Sequence, residues 1–251
     1  MNTSFVYLDI MKPNFEAFTR RFIETYTAHP AGAEHQLVVG VVGQDLNGSR
    51  RKAFDSLKYR FIDLPGDGWG ITCFQKIAGL LDSDFAVFCE AKSYFHRAGW
   101  LKKMVEARMS FGEGLYGGSG HSLECVPHLR AALFGCHPKA LSSFRPITNR
   151  EEAGQYEHGK DNFTSAFKSR AHSVMWDGVV HYPFNVVTKN NFRDGDKSNL
   201  LAFDRHTDLY AEATEARKRI LQKQSQGKYN SIRRLIRAKD ELLFMLNKRV
   251  D

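Results

Sequence analysis

The 251-residue chain lacks the marks of several large protein classes. Its four cysteines, Cys73, Cys89, Cys125 and Cys136, form no CxxC pair. That spacing argues against a zinc site or a disulfide framework and fits reduced thiols in a cytoplasmic protein. No stretch approaches the ~20 apolar residues needed to cross a bilayer. The first thirty residues hold acids, Pro13 and Arg20-Arg21 where a signal peptide has an apolar core. There is no internal repeat and no low-complexity tract. The glycine-rich "YGGSGH" (116–121) lacks the Lys-Ser/Thr of a P-loop and does not match a GxGxxG turn that opens a helix.

What is present is a globular composition. Apolar residues make up 42% and aromatics 12%, enough for a sizeable core and against global disorder. The net charge of +8 points weakly to a phosphate-bearing or anionic partner. The basic residues are spread along the chain with no aromatic–basic stacking motif, which disfavours nucleic acid.

The first hundred residues alternate between two periodicities. Strands are predicted at "SFVYLDI" (4–10), "HQLVVGVVG" (35–43), "YRFIDLP" (59–65) and "FAVFC" (85–89). Between them lie helical segments: 13–26, with Phe15, Phe18, Phe22, Ile23 and Tyr26 on one face; a short piece after the turn "QDLNGS"; and 71–81, with Ile71, Phe74, Ile77, Ala78 and Leu81 on one stripe. This pattern predicts an α/β fold with a mostly parallel sheet flanked by helices, and ligands gather at the carboxyl ends of such strands. The second half is less regular. A strand is expected within 129–136, a loop entering a short helix over 156–170, a strand region over 172–182, and charged helices from Asp208 onward.

One order of motifs carries a resemblance. A strand ends in "QDLNG"; the glycine turn "GDGWG" (66–70) and the helix "ITCFQKIAGLLDSD" follow; then come the strand "FAVFC", a short polar segment and "GWL" (99–101) opening a helix. This resembles the nucleotide-sugar half of a GT-A-fold glycosyltransferase, most like family 2, and "YEHGKDNFTSAF" (156–167) resembles the segment carrying that fold's acceptor-side carboxylate. The resemblance covers about residues 4–185. It implies a GT-A-like domain over 1–207, with a nucleotide-sugar half to about 110 and an acceptor half beyond. Residues 208–251 form a basic amphipathic helical extension outside it.

The implied activity is transfer of a sugar from a nucleotide-sugar donor to a glycan or lipid-linked glycan in polysaccharide biosynthesis, with inversion. Asp45 and Asn47 are expected to hold the base, with Asp63 as a further donor contact. The family's Asp-X-Asp motif, which holds ribose and a divalent cation, reads Glu90-Ala91-Lys92 here. A lysine repels a dication and never ligates one while protonated, so Mn or Mg is doubtful; Glu90 and His181 are the weak candidate ligands, and Lys92 is expected to face the diphosphate itself. Glu157 is the expected general base and Asp161 the second choice. Trp100, Gly118, His121 and His158 are expected around the sugar or acceptor, and His96 and Arg97 as further phosphate contacts. A catalytically silent nucleotide-sugar- or glycan-binding module is the alternative. The C-terminal stripe Ile232, Leu235, Ile236, Leu243 and Leu246, beside Arg233, Arg234 and Arg237, fits packing on the domain or self-association, or a peripheral contact with the inner face of a membrane.

Overall fold

The computed structural model describes residues 1–43, 48–66, 70–121, 127–184 and 197–225. The expected strands and helices of the first half are all present: β1 (Thr3–Ile10), α1 (Glu16–Ala28), β2 (Gln36–Val42), α2 (Ser49–Ala53), β3 (Tyr59–Leu64), α3 (Gly70–Ala78), β4 (Phe85–Cys89) and α4 (Trp100–Phe111). The second half contains β5 (Leu115–Gly117), β6 (Gly120–His121), β7 (His128–Leu129), β8 (Leu133–Cys136), α5 (Pro138–Ser142), α6 (Arg150–His158), α7 (Phe163–Phe167), β9 (Ala171–Met175), β10 (Gly178–His181), α8 (Arg205–Ala211) and α9 (Glu215–Ser225).

Eight strands form one mixed sheet in the order β10-β9-β5-β8-β4-β1-β2-β3. The block β3-β2-β1-β4 is parallel, as expected of a Rossmann-like half. β8 runs antiparallel to β4 and to β5, β5 and β9 are parallel, and β9–β10 is a hairpin. The predicted strand over 129–136 is two short strands, β7 and β8, split by a turn at 131–132.

Successive strand residues face opposite sides of the sheet, and both sides are covered. Phe5 and Tyr7 of β1 join Phe22, Val39, Val87, Trp100, Met104 and Tyr116 under α1 and α4. Val6 and Leu8 join Val38, Phe74, Ile77, Phe88, Phe134 and Phe163 under α3, α5 and α7. The "GWL" turn works through Gly99. Its φ of 88° suits glycine, and a Cβ on neighbouring Gly32 would lie 2.8 Å from the Gly99 Cα.

That turn drives Trp100 inward, which corrects the expectation that it lines a sugar pocket. Trp100 is fully buried, stacked on Phe95 at 3.7 Å and edge-on to Phe5 at 4.6 Å, and its indole N–H donates to the His29 carbonyl at 3.1 Å. An indole with its one donor satisfied in a closed aromatic cluster is a core element.

The segment 197–211 lies across the carboxyl end of the sheet. Tyr94 and Phe203 exchange both backbone hydrogen bonds at 2.9 Å. The Leu200 carbonyl accepts from the Trp176 indole, and His96 is bonded to the same carbonyl. The expected boundary between residues 207 and 208 falls inside α8, and Asp208 is tied to the domain by Arg21 at 2.8 Å and by the Tyr94 hydroxyl at 2.5 Å. No helix among the described residues is long and apolar enough to cross a membrane. The apolar stripe from Ile232 onward lies outside the described residues.

Replacing Trp100 with alanine is expected to destabilise the fold by about 3–5 kcal/mol, the usual cost of emptying a buried aromatic site. In a chain of this size that corresponds to a fall in melting temperature of roughly 6–20 °C. Ligand affinity measured well below the transition is expected to stay unchanged, and a selective loss of affinity at wild-type stability would return Trp100 to the pocket.

Candidate active site

The sheet order creates a switch point. From β1 the chain moves outward through β2 and β3, then crosses back to place β4 on the other side of β1. The carboxyl ends of β1 and β4 therefore flank a crevice, the usual ligand position in such sheets. β1 ends at buried Asp9, which accepts from the Thr19 hydroxyl at 2.6 Å and lies 3.4 Å from the Arg50 guanidinium. β4 ends at Cys89 and leads directly into Glu90-Ala91-Lys92. The Tyr7 hydroxyl donates to the Ala91 carbonyl at 3.0 Å, fixing this segment over β1.

Residues 130–132, the approach to β8, are held between two acids. The Ala132 carbonyl accepts the Glu90 N–H at 3.2 Å and the Ser93 hydroxyl at 3.0 Å. The Ala131 N–H donates to Glu157 Oε1 at 3.0 Å. Arg130 reaches Asp204 at 2.6 Å, an ion pair with little solvent exposure on either side. Asp204 also caps α8, closing a box with Thr207.

Three carboxyl groups thus gather around one guanidinium. Burial works against the Arg130 charge, but Asp204, Glu157 and Glu90 more than offset it and hold Arg130 above its ordinary range. Burial alone would raise the Asp204 carboxyl, yet Arg130 keeps it below the usual value. Glu90 goes the other way. Burial, then the carboxylates of Glu157 and Asp204, push it up to about 7, against the pull of Arg130 and Lys92. Lys92 is half-buried, with its ammonium 5.0 Å from the Phe15 ring centre; burial and the neighbouring Arg205 lower its proton affinity. One carboxyl raised toward neutrality, Glu90, beside another held below its ordinary range, Asp204, is an arrangement that proton-transfer sites use.

The structure brings together Glu90, Lys92 and Glu157 of the residues singled out from sequence. Glu157 belongs to the last turn of α6, where a loop was expected, and His158 Nε2 lies 3.4 Å from its second oxygen. His158 also stands edge-on to buried His128 at 4.8 Å. Gly118 lies on the same edge, its N–H donating to the Leu133 carbonyl at 2.9 Å, and a side chain there would press on Leu133. His121 lies in β6, opposite His128.

Other expected residues lie apart. Asp161 is exposed, and the helix cap beside it is Asn162, which accepts the Ser165 N–H at 2.7 Å. Asp63 is exposed at the sheet edge and paired with Arg51 at 2.8 Å. His181 is hydrogen-bonded to His172 at 2.8 Å on the far side of the sheet. Four strand spacings separate β10 from β4, roughly 19 Å, so His181 cannot share a cation with Glu90. His96 is stacked on Phe203, and Arg97 lies over Trp176. Asp45 and Asn47 lie outside the described residues. No group of three His, Cys, Asp or Glu among the described residues is placed to hold a metal.

Sequence reasoning missed Arg130 and Asp204. Arg130 sits just ahead of an apolar strand, in a stretch expected to be strand itself. Asp204 lies in "DRHT", whose acid and threonine three residues later are the signal of a helix cap.

No protein-family model and no curated protein sequence matches the chain. Solved structures similar to it include the galactosyltransferase LgtC in complex with donor and acceptor sugar analogs, at 14% identity over 67% of this chain and 72% of that one, with a TM-score of 0.46. S. aureus TarS 1-349 in complex with UDP-GlcNAc is similar at 12% identity over 56% of this chain and 46% of that one, TM-score 0.42. CMP:2-keto-3-deoxy-manno-octonic acid synthetase complexed with CTP is similar at 7% identity over 61% of this chain and 81% of that one, TM-score 0.43. The chain spans about a fifth to a half of the TarS chains it matches. These are distant similarities of fold, and the chemistry of the site stands on its own residues.

Glu90 gives a pH signature. In the unfolded chain it ionises near ~4.3, while in the folded chain it keeps its proton to about 7. Between those values the native state binds more protons, so the Glu90 contribution to stability falls as pH rises through this window and is level above it. The shift corresponds to at most about 4 kcal/mol at ~1.36 kcal/mol per pH unit. Glu90→Gln is expected to match wild-type stability near pH 4.5 and to exceed it increasingly up to pH 7 in urea denaturation. Parallel curves for the two proteins would show that Glu90 is not enclosed.

Proposed function

We propose that the chain is a nucleotide-sugar-dependent glycosyltransferase of the GT-A type, with a glycan or lipid-linked glycan as acceptor. The observation that carries this reading is the convergence of Glu90, Glu157, Asp204, Arg130 and Lys92 at the switch point of a Rossmann-like half-sheet. A nucleotide sugar presents a base and ribose, an electrophilic anomeric carbon and a diphosphate leaving group. The site offers a carboxylate for the proton and fixed cations for the phosphates.

In the proposed reaction the acceptor hydroxyl attacks the anomeric carbon from the face opposite the diphosphate, and the configuration inverts. Glu157 takes the hydroxyl proton as the new C–O bond forms. The bond from carbon to phosphate oxygen breaks, and its electron pair leaves with the diphosphate. The Ala131 N–H holds one Glu157 oxygen, and the other, 3.4 Å from His158 Nε2, is the one proposed to take the proton. Lys92 stabilises the charge that grows on the diphosphate. The donor set around Glu90 does not fit a dication: its neighbours on the crevice include Lys92 and Arg130, and His181 is four strands away. In this step side-chain cations take the place of a metal. Departure from Asp-X-Asp also supports a second reading, a silent nucleotide-sugar- or glycan-binding module, in which slow hydrolysis of the donor would be absent.

Glu157→Gln is expected to leave donor affinity nearly intact while lowering transfer by about 10²-fold or more. Full activity in this variant would move the base elsewhere. Transfer is also expected to survive excess chelator. Loss of activity in chelator with recovery in manganese would overturn the role given to Lys92.

A further inference from the structure

We infer that the protein has a second ligand site, for a small aromatic carboxylate, at the pole of the sheet opposite the donor crevice. The site is independent of the glycosyltransferase reading above.

The topology places it. β8 runs antiparallel to β4 with Cys136 opposite Ala86, so His137 emerges at the amino end of β4. β5 is antiparallel to β8, and β9 is parallel to β5 with Ala171 opposite Leu115. Gly114 and Arg170, which directly precede β5 and β9, therefore lie at the same pole. Glu90 follows the other end of β4, roughly 13 Å along the strand from Ala86.

A cavity of about 210 Å³ opens there. Phe144, Phe163 and Phe167 wall it, with Phe163 edge-on to the other two at 5.1 and 5.2 Å. Gly114 passes so close to Arg170 that a Cβ would collide with the Arg170 carbonyl, so glycine lets the two strand starts meet. An apolar cavity of ~150 Å³ accommodates benzene. The larger volume here holds one six-membered ring with one small substituent.

The polar groups on the wall select that substituent. Glu113 is engaged by Arg108 at 3.3 Å. His137 Nδ1 accepts the Lys139 N–H at 3.2 Å, which leaves the ring hydrogen on Nε2 as a donor. The Arg170 guanidinium lies 5.7 Å from the Phe167 ring centre and has no carboxylate partner among the described residues. Lys139, Arg145 and Lys168 are exposed, and each is adjacent in sequence to a lining residue, which adds positive charge around the cavity. A carboxylate matches the planar guanidinium in bidentate fashion. The ring is aromatic because the wall is. A sugar of the same size would bring several hydroxyls against three phenyl rings, and each one left without a partner costs free energy. An aromatic ring carries no such cost and packs well on phenyl edges.

The test is titration of the full chain with benzoate and phenylacetate, followed by ligand-observed NMR. Benzamide serves as the neutral analogue and glucuronate as an anion without an aromatic ring. Both aromatic acids are expected to bind saturably, benzamide about tenfold more weakly, and glucuronate not at all. Arg170→Gln, at an exposed position, is expected to weaken benzoate binding about tenfold and to leave benzamide unchanged. Phe167→Ala is expected to weaken both, and Phe167→Leu serves if the alanine variant unfolds. Lys92→Ala is expected to bind benzoate as wild type does, because Lys92 lies at the other pole. The inference falls if neither acid binds, if the Arg170 and Phe167 variants bind as wild type, or if glucuronate binds as tightly as benzoate. It falls equally if Lys92→Ala abolishes binding, which would place the acids in the donor crevice.

Discussion

The site depends on the ion pair between Arg130 and Asp204. Several carboxyl groups in one partly enclosed crevice cannot all ionise without a cation among them, since like charges in a poorly solvated space raise one another's proton affinity. Arg130 is that cation. It lets Asp204 stay ionised in a buried position, and the cluster then divides its roles: Asp204 held below its ordinary range, Glu90 pushed up to about 7. Removing Arg130 would leave Asp204 buried without its ion-pair partner, a loss of ~3–5 kcal/mol in typical cases.

The same pair is also a mechanical link. Arg130 belongs to the approach to β8, while Asp204 belongs to the segment that crosses the sheet end and caps α8. Around it, Tyr94–Phe203 pairing, the Leu200 carbonyl and the Arg21–Asp208–Tyr94 clasp hold that segment to three separate parts of the chain. The crevice is therefore assembled from residues over a hundred positions apart in sequence, and its charge balance comes from the fold as a whole.

This explains what sequence revealed and what it concealed. The parallel half-sheet was legible because each strand is an apolar run and each helix an apolar stripe, and those periodicities are local. Glu90 and Lys92 were legible because they follow a buried strand directly, where a parallel sheet places its ligands. Trp100 was misassigned because an aromatic at a helix start reads alike whether it faces a pocket or a core. Only the Gly99 turn, with Phe5 and Phe95 arriving from elsewhere, turns it inward. His181 failed for a topological reason. Its hairpin lies at the end of the sheet order, and that order is set by pairings no local pattern encodes. Arg130 and Asp204 were missed because each has an ordinary local explanation, an arginine beside a strand and an acid at a helix cap. Their joint meaning appears only when β8 and α8 are brought side by side.

The proposed exchange of a metal for side-chain cations has a consequence for the architecture. A dication concentrates two charges at one point and binds wherever a few oxygen donors converge. An ammonium carries one charge on a flexible stem, and a guanidinium spreads one over a plane. Matching a diphosphate with these groups takes more than one, set at a spacing the backbone must enforce. Lys92 follows β4 and Arg130 precedes its neighbour β8, so the pairing of those two strands sets the spacing between the two cations.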